Sequence, residues 1–431
     1  MERQVKILAT LLQRRGHSVS VFAPQRPDLK ADKDWEFNMF RHATYIDDNV
    51  IDCLDGSAPI PGSFFGLGAL VRREHERSPF DLFFACSAYR YGNIALGLRR
   101  LYGKPVVLRT HGADINMVPE TNYGWRLDPK KALLIEQSIG EADHCIAISG
   151  SVVELQREIR GSAGISRIWN GVDVEKFAPR RDFDANAQGE GPATGILVGR
   201  NVPKKQFGEF LVAFSKSEHL KEKLKLRLVG EGVTQLAPLC REHDITANVE
   251  LIEGVEADAM PELYRSADLF IMPSRMETFG TVTVEAMASG LPVVGLDAPG
   301  TADQVVDGET GYLAPTLDEM ARRVEELVDT PVRMRSFGAA GRQRAIDWFS
   351  WDAVAAQYEA VFEKAIESFD APVRLNDDTT IENYERGKIR LMNFSLFLRD
   401  IFLYGKKRYV NLIDCFKSSA LKNPQPSDLA A

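Results

Sequence analysis

Two carboxylates separated by seven residues, Glu277 and Glu285, lie in the segment of this chain that is richest in chemical signals. The segment, residues 273–294, reads PSRMETFGTVTVEAMASGLPVV and follows the strand-like run LFIM. Its pattern predicts a turn containing Gly280 and then a helix that begins near Thr281. Free amides and the positive end of the dipole at a helix start suit a phosphate, and carboxylates accept hydrogen bonds from paired sugar hydroxyls.

Glycines and small side chains in this segment predict close packing. Gly280 permits a close approach of the backbone to a ligand, and the helix is expected to end at Gly290. The small residues Ala286, Ala288 and Ser289 allow the helix to lie tightly on a sheet. The sequence therefore predicts a helix that packs closely on the sheet behind the turn.

Three further side chains follow strand-like runs, where ligands of α/β sheets bind. Arg200 and Lys205 come after the run 195–198, and this position favours a functional role over simple exposure to solvent. His111 follows the run 105–108 in the sequence RTHGAD. It either caps the end of that strand or reaches the site.

Short apolar runs alternate with helical patterns through most of the chain, which indicates an α/β fold with doubly wound parallel sheets. Helices are predicted between the strands, for example over 132–140 and 260–265. The predicted buried strands are 19–23, 82–85, 105–108, 144–148, 195–198, 224–229, 249–251, 269–272 and 292–295.

The alternation lapses at 179–192, PRRDFDANAQGEGP, which we interpret as a linker between two doubly wound domains that face each other across a cleft. The predicted parts of the chain are an N-terminal domain at 1–180, the linker at 181–192, a C-terminal domain at 193–350, a return helix at 351–368 and an extra tail at 369–431.

Composition narrows the class of protein. The chain has 431 residues, 61 acidic and 53 basic, and a net charge of −8, which disfavours a nucleic-acid partner. Its five cysteines show neither a C-x-x-C spacing nor a disulfide framework, and we expect a cytoplasmic protein. We identify no signal peptide and no apolar run long enough to span a membrane.

The pattern P-S-x-x-E-x-F-G-x-x-x-x-E-A-M-A-x-G-x-P-V-V around Glu277 and Glu285 resembles the donor-site signature of family-4 retaining glycosyltransferases. The resemblance covers roughly residues 6–366, and several ordered matches are more specific than a lone glycine loop. The other matching segments are Gly16-His17 with Val19, Asn170-Gly171-Val172-Asp173 with Phe177 and Pro179, Gly199-Arg200 through Lys205, Gly230-Glu231-Gly232, and Asp307-Gly308 with Gly311.

This resemblance implies a GT-B fold and retaining transfer of a hexose from a nucleoside-diphosphate sugar to a hydroxyl acceptor. The acceptor would be a saccharide or lipid-linked, as in glycan, glycolipid or polysaccharide biosynthesis, and no metal or other cofactor would be required. The first domain would lie on the acceptor side and the second would bind the donor.

The resemblance also implies roles for individual residues. Arg200 and Lys205 would clamp the donor diphosphate, Glu277 would hold sugar hydroxyls, and His111 would reach the donor sugar from the first domain. The remaining donor-binding positions would be the backbone amides of Phe279, Gly280 and Thr281, the ribose-binding Glu285, and Gly230, Gly232 and Val255 beside the base.

The start of the chain departs from the family pattern. Val5, Leu8 and Leu12 lie at helical spacing, so the chain opens with a helix rather than with the family's first strand and glycine loop. Either the reading frame begins too late, or the chain is a non-catalytic GT-B shell. A sugar phosphorylase or epimerase of the same fold is a further alternative.

One residue and the C-terminal tail also depart from the family pattern. Asp303 occupies a position where the family usually has Glu. The tail beyond residue 369 lies outside the resemblance, and its stretch 389–416 mixes aromatic and basic residues. The tail is interpreted as a helical extension packed on the first domain or as a peripheral contact with the inner face of a membrane.

Overall fold

The computed structural model describes residues 2–24, 36–42, 62–119, 122–179 and 191–370. Most of the predicted linker and nearly all of the predicted tail lie outside these residues. The domain boundaries, and the membrane contact proposed for the tail, therefore stay predictions.

The described residues contain short strands that we number in chain order. They are β1 (Ser20–Pro24), β2 (Asn38–His42), β3 (Phe83–Ala85), β4 (Val106–Arg109), β5 (His144–Ala147), β6 (Ile165–Arg167), β7 (Ala193–Val198), β8 (Leu224–Val229), β9 (Val249–Ile252), β10 (Leu269–Met272), β11 (Val293–Leu296) and β12 (Gly311–Ala314).

Helices separate most of these strands, and short 3-10 and π turns supplement them. The helices are α1 (Glu2–Arg14), α2 (Gly62–Arg77), α3 (Asn93–Tyr102), α4 (Gly112–Ile115), α5 (Pro129–Glu141), α6 (Gly150–Arg160), α7 (Phe207–Ser215), α8 (Glu218–Lys223), α9 (Ala237–Glu242), α10 (Met260–Arg265), α11 (Thr281–Ala288), α12 (Thr301–Gln304), α13 (Leu317–Val328), α14 (Pro331–Arg344) and α15 (Trp351–Glu367). None of the described helices has the length and apolar character needed to cross a membrane.

The chain divides into two compact units. Among the described residues, the larger unit comprises 2–17, 109–116, 145–179 and 191–363, and the smaller unit comprises 18–24, 36–42, 62–108, 117–119, 122–144 and 364–370. In the smaller unit β1 pairs with β2 in parallel, and β3 pairs with β4 in parallel through Phe83 and Val106.

The larger unit is built around a six-stranded sheet with the order β12-β11-β10-β7-β8-β9, in which every pairing is parallel. Strand β10 is buried at all four positions because helices cover both faces of the sheet. Phe210, Phe214 and Ile271 are fully buried in its core. The carboxyl ends of parallel strands lie on one edge, so the loops after β7, β8 and β10 share that edge.

All nine predicted strands are confirmed, with shifts of one or two residues at some ends. The predicted opening helix is also confirmed as α1, and Gly16 after it has a positive φ of 98°. Sequence reasoning missed β2, β6 and β12. Strand β6 reads ISR and has no fully buried residue, so it lacks the apolar run that marks a central strand.

Candidate functional site

The segment around Glu277 and Glu285 forms the strand–loop–helix unit predicted from its pattern. Helix α11 follows Gly280, whose φ of 74° and ψ of 64° lie in the left-handed region that favours glycine. The helix ends at Ala288, Ser289 is its C-cap residue, and Gly290 after it has a φ of 80°. Ala286, on the inner face of α11, is fully buried.

The start of α11 presents backbone donors. The amide of Thr283 donates to the carbonyl of Gly280 at 2.9 Å, but the amides of Phe279 and Gly280 donate to no backbone group within the described residues. Thr281 is the first helical residue, so its amide has no acceptor within the helix. Three consecutive amides, together with the positive end of the helix dipole, can therefore bind an anion.

A buried ion pair lies beside this turn. The Nζ of Lys205 is 2.9 Å from Oε1 of Glu277, and each side chain is 11% exposed. Lys204 approaches the other carboxylate oxygen at 4.0 Å. Gly199 leaves room for this arrangement, because a Cβ atom at that position would lie 2.9 Å from Cε of Lys205. The structure thus joins two residues to which the resemblance assigns different parts of the donor.

The loop after β11 holds Glu277 from behind. The Glu277 amide donates to the carbonyl of Pro299 at 3.0 Å. Gly300 has a φ of 85°, and a Cβ there would lie 2.2 Å from the carbonyl oxygen of Glu277. Only glycine can adopt this backbone conformation at this distance without displacing Glu277.

Gln304 is a second support that sequence reasoning missed. Its side chain is fully buried, and its Nε2 donates to the carbonyl of Phe279 and, at 3.4 Å, to that of Gly280. The neighbouring Asp303 has a different task, because its carboxylate accepts from the amide of Gly150 at 2.9 Å. The one available signal in the sequence was that Gln304 directly follows Asp303, a position singled out by the family resemblance.

A pocket of about 320 Å³ within the larger unit brings together three of the predicted residues, His111, Thr281 and Glu285. His111 is the N-cap residue of α4, and its backbone amide donates to Oδ2 of Asp114 at 3.3 Å. His111 therefore both caps a short helix and lines the pocket. A volume of this size is at the lower end of the range for small-molecule sites.

Glu285 is held in place by a tyrosine. The hydroxyl of Tyr264 donates to Oε2 of Glu285 at 3.2 Å. Burial, and secondly the negative charge of Glu285, raise the pKa of Tyr264 well above its ordinary value. Tyr264 consequently stays protonated at neutral pH and remains a donor to the carboxylate.

The segment Asn170–Asp173 also reaches the pocket, and its glycine explains how. A Cβ at Gly171 would lie 2.3 Å from the ring of Trp351, at the start of α15. The amide of Val172 donates to the carbonyl of Phe349 at 2.7 Å. These contacts hold the segment against the start of α15 and the residues before it, and both Asn170 and Asp173 line the pocket.

Gly230 and Gly232 lie in the loop after β8. Gly230 has a φ of 144°, and a Cβ there would lie 2.1 Å from the carbonyl oxygen of Gly199. The amide of Gly232 donates to the exposed carboxylate of Glu253 at 2.5 Å. That hydrogen bond, followed by those from the hydroxyl and the amide of Thr234, lowers the pKa of Glu253.

Two of the predicted site residues, Arg200 and Val255, take no part in the contacts described above. Arg200 is exposed, and its side chain forms no hydrogen bond or ion pair with any described residue. Val255 is half-buried in the loop after β9. Neither residue lines the pocket beside α11.

Solved structures with the same architecture define the class of the fold. The chain is similar to sucrose-phosphate synthase from Thermosynechococcus elongatus, with a TM-score of 0.68 and 20% identity over 84% of this chain and 93% of that chain. It is also similar to HepE from Anabaena in complex with UDP and glucose, with a TM-score of 0.61 and 19% identity over 84% and 95% of the two chains. The chain has the GT-B fold of glycosyltransferases, as predicted.

Sequence comparison then gives the family. The profile described as "Glycosyl transferases group 1" matches residues 180–344, and that of "Glycosyltransferase Family 4" matches residues 1–176. A D-inositol 3-phosphate glycosyltransferase from Catenulispora acidiphila is 29% identical over 336 residues, which cover 72% of this chain and 78% of the relative. The chain belongs to glycosyltransferase family 4.

Proposed function

We propose that this glycosyltransferase moves a hexose from a nucleoside-diphosphate sugar to a hydroxyl acceptor, with retention of anomeric configuration. The observation that carries the proposal is the start of α11, where three available amides lie beside the buried Lys205–Glu277 pair. Amides and a lysine provide donors for a phosphate, and a carboxylate provides acceptors for sugar hydroxyls. A sugar attached to a diphosphate has both kinds of group.

The donor diphosphate would bind to the amides of Phe279, Gly280 and Thr281 and to the side chains of Lys205 and Arg200. Because Lys205 is paired with Glu277 at 2.9 Å, it would bridge the phosphate to the residue that holds the sugar. Arg200 is exposed and unpaired within the described residues, so it is available to close over the outer phosphate. The solved complex of the similar HepE protein with UDP and glucose supports a nucleotide of this type.

The other donor groups follow from the same placement. Glu285, held by Tyr264, would accept the ribose hydroxyls, and the loops containing Gly230, Gly232 and Val255 would flank the base. His111 lines the same pocket as Glu285 and Thr281, which supports its proposed contact with the donor sugar.

In the proposed reaction the bond between the anomeric carbon and the leaving phosphate oxygen breaks as charge accumulates on that phosphate. The acceptor oxygen forms its bond on the same face of the sugar, and its proton passes to the departing phosphate oxygen. The amides of α11, Lys205 and Arg200 stabilise the growing negative charge. Since these groups supply positive charge themselves, we propose that transfer requires no metal ion.

The acceptor side is assigned to the predicted first domain, residues 1–180, and the donor side to the predicted second domain, residues 193–350. The relative from Catenulispora acidiphila is named for an inositol phosphate, which is a phosphorylated polyol. A polyol, a saccharide or a lipid-linked sugar would each supply the hydroxyl nucleophile. We place the reaction in glycan, glycolipid or polysaccharide biosynthesis.

The test uses the full chain with UDP-glucose, UDP-N-acetylglucosamine and GDP-mannose, and with D-inositol 3-phosphate and myo-inositol as acceptors. One donor is expected to raise the melting temperature, and NMR is expected to show an α-linked product in the presence of EDTA. A β-linked product would overturn retention. Epimerised donor, or sugar phosphate formed from inorganic phosphate, would indicate a different reaction of the same fold, and no binding of any donor would contradict the proposal.

Arg200→Met provides a residue-level test of the same proposal. It removes a charge-assisted contact to the diphosphate, so the Kd of the donor is expected to rise about tenfold with little change in stability. Arg241→Met is the control, because Arg241 is an exposed arginine on α9, an element to which no donor contact is assigned. Equal donor affinities of the two variants would remove Arg200 from the site.

A further inference from the structure

The pocket beside α11 contains an arginine to which neither the motif nor the proposed function gives a role. Arg109, the last residue of β4, is 2% exposed. Its NH2 group donates to Oδ1 of Asn170, and its Cζ lies 5.9 Å from the ring centroid of Tyr358. Its Nε is buried and has no hydrogen-bond acceptor among the described residues.

This environment is unusual for a cation. Within the described residues no carboxylate forms an ion pair with Arg109, although burial of a charge without a counter-charge is energetically unfavourable. A neutral amide and an aromatic ring offset only part of that cost. An anion from outside the chain, bound in the pocket that Arg109 lines, would provide the absent charge.

The other polar groups of the pocket are compatible with an anion at one end of it. Asn170 and Gln4 offer side-chain amides, and the start of α11 is represented by Thr281. Two carboxylates also line the pocket, but both have donors of their own. Glu285 accepts from Tyr264 at 3.2 Å, and Asp173 accepts from the amide of Lys176 at 2.9 Å.

We propose that Arg109 is an anion-binding residue of this pocket and that it binds a phosphoryl group of a substrate through its Nε–H. The planar guanidinium matches phosphate oxygens, and burial strengthens such a charge-assisted contact. The phosphoryl group comes either from the donor diphosphate or from a phosphorylated acceptor. This assignment of sources rests on the proposed function, whereas the binding of phosphate by Arg109 can be tested without any turnover.

The first experiment compares wild-type protein with Arg109→Met, using Arg241→Met as the matched control. The Kd of UDP and of GDP is measured by calorimetry, and the binding of uridine and guanosine by saturation-transfer NMR. If the donor supplies the phosphoryl group, Arg109→Met weakens the diphosphate about ten- to a hundredfold and changes the nucleoside less than about twofold. A merely structural role would weaken nucleotide and nucleoside equally, and that result would overturn the proposal.

The second experiment measures binding of inorganic phosphate to wild-type protein saturated with the preferred nucleotide. Phosphate binding that persists beside the nucleotide and disappears in Arg109→Met assigns the site to a phosphorylated acceptor. If Arg109→Met changes neither nucleotide nor phosphate affinity, the proposal is wrong. Wild-type protein could bind phosphate but neither UDP nor GDP, with phosphate binding lost in Arg109→Met. That result would contradict the proposed function and still support the role of Arg109.

Because removal of a buried arginine can prevent folding, wild-type crystals soaked with UDP or with phosphate provide an independent check. A phosphoryl oxygen within hydrogen-bond distance of Nε of Arg109 in either soak supports the proposal, and the absence of one from both soaks overturns it. Arg109→Lys adds a folded variant that keeps the charge. It is expected to retain part of the phosphate-dependent affinity, because lysine replaces the charge but not the planar donor group.

Discussion

Two loops of the six-stranded sheet were both predicted to bind the donor, but the structure stabilises them in opposite ways. The loop after β10 is held by buried groups, namely the Lys205–Glu277 pair, the carbonyl of Pro299 and the side chain of Gln304. The loop after β8 is held by backbone hydrogen bonds to its neighbours and by one carboxylate, that of Glu253, which is exposed. Both loops begin at the same edge of the sheet.

The difference shows where the fold places rigidity. Breaking a buried ion pair lowers stability strongly, because loss of one partner leaves the other charge buried with neither a counter-charge nor water around it. An exposed carboxylate exchanges its protein donors for water at little cost. We therefore expect the loop after β10 to keep one geometry for the reacting end of the donor, and the loop after β8 to adjust to the base.

The largest effect is expected from Glu277→Ala. The substitution leaves Lys205 without its counter-charge, so the free energy of unfolding should fall by about 3 kcal/mol, and kcat/KM should fall at least about a hundredfold. Urea denaturation and steady-state kinetics measure the two effects. The double variant Glu277→Ala with Lys205→Met should regain stability but no activity, since it removes both charges.

An exposed ion pair of the same unit provides the control for Glu277→Ala. Lys216 and Asp318 lie 2.7 Å apart with side chains 60% and 69% exposed. Asp318→Ala should change stability by less than about 1 kcal/mol. If the two single variants lose equal stability, burial is not what distinguishes the loop after β10.

An intermediate effect is expected from two glycines of the same site. In Gly280→Ala the alanine must adopt a left-handed φ of 74°, but its Cβ would lie no closer than 3.5 Å to any other atom. The substitution should therefore lower the free energy of unfolding by about 1–2 kcal/mol through backbone strain alone. Gly300→Ala adds a clash at 2.2 Å with the carbonyl of Glu277. It should therefore lower both stability and kcat/KM more than Gly280→Ala, as thermal unfolding and kinetics will show. The reverse order would mean that the loop after β11 does not position Glu277.

The smallest effect is expected from Glu253→Gln, and it should depend on pH. Hydrogen bonds from Gly232 and Thr234 lower the pKa of Glu253 in the folded state, so its ionised form favours folding. This contribution is fully present above the ordinary pKa of about 4.3 and is lost as the pH falls through the lowered folded pKa. Melting temperatures of wild type and variant should thus differ slightly at pH 7 and converge once the pH has fallen below the lowered pKa of Glu253. A difference that persists in acid would point to packing rather than charge.

Local sequence patterns were sufficient for most of the fold. Apolar runs such as LFIM predicted β10, and the change of pattern at Gly280 predicted the start of α11. These features depend on residues close together in the chain, whose spacing and backbone preferences are visible in the sequence. Strand β6 escaped because its residues are only half-buried or exposed.

Contacts between distant segments could not be predicted in this way. No local pattern pairs Lys205 with Glu277, places the amide of Gln304 on the carbonyl of Phe279, or buries Arg109 beside Asn170. The sequence by itself determined which residue types stand at the carboxyl ends of the strands. Tertiary packing decided which of them became buried partners and which stayed exposed, because burial and pairing depend on how separate segments meet in space.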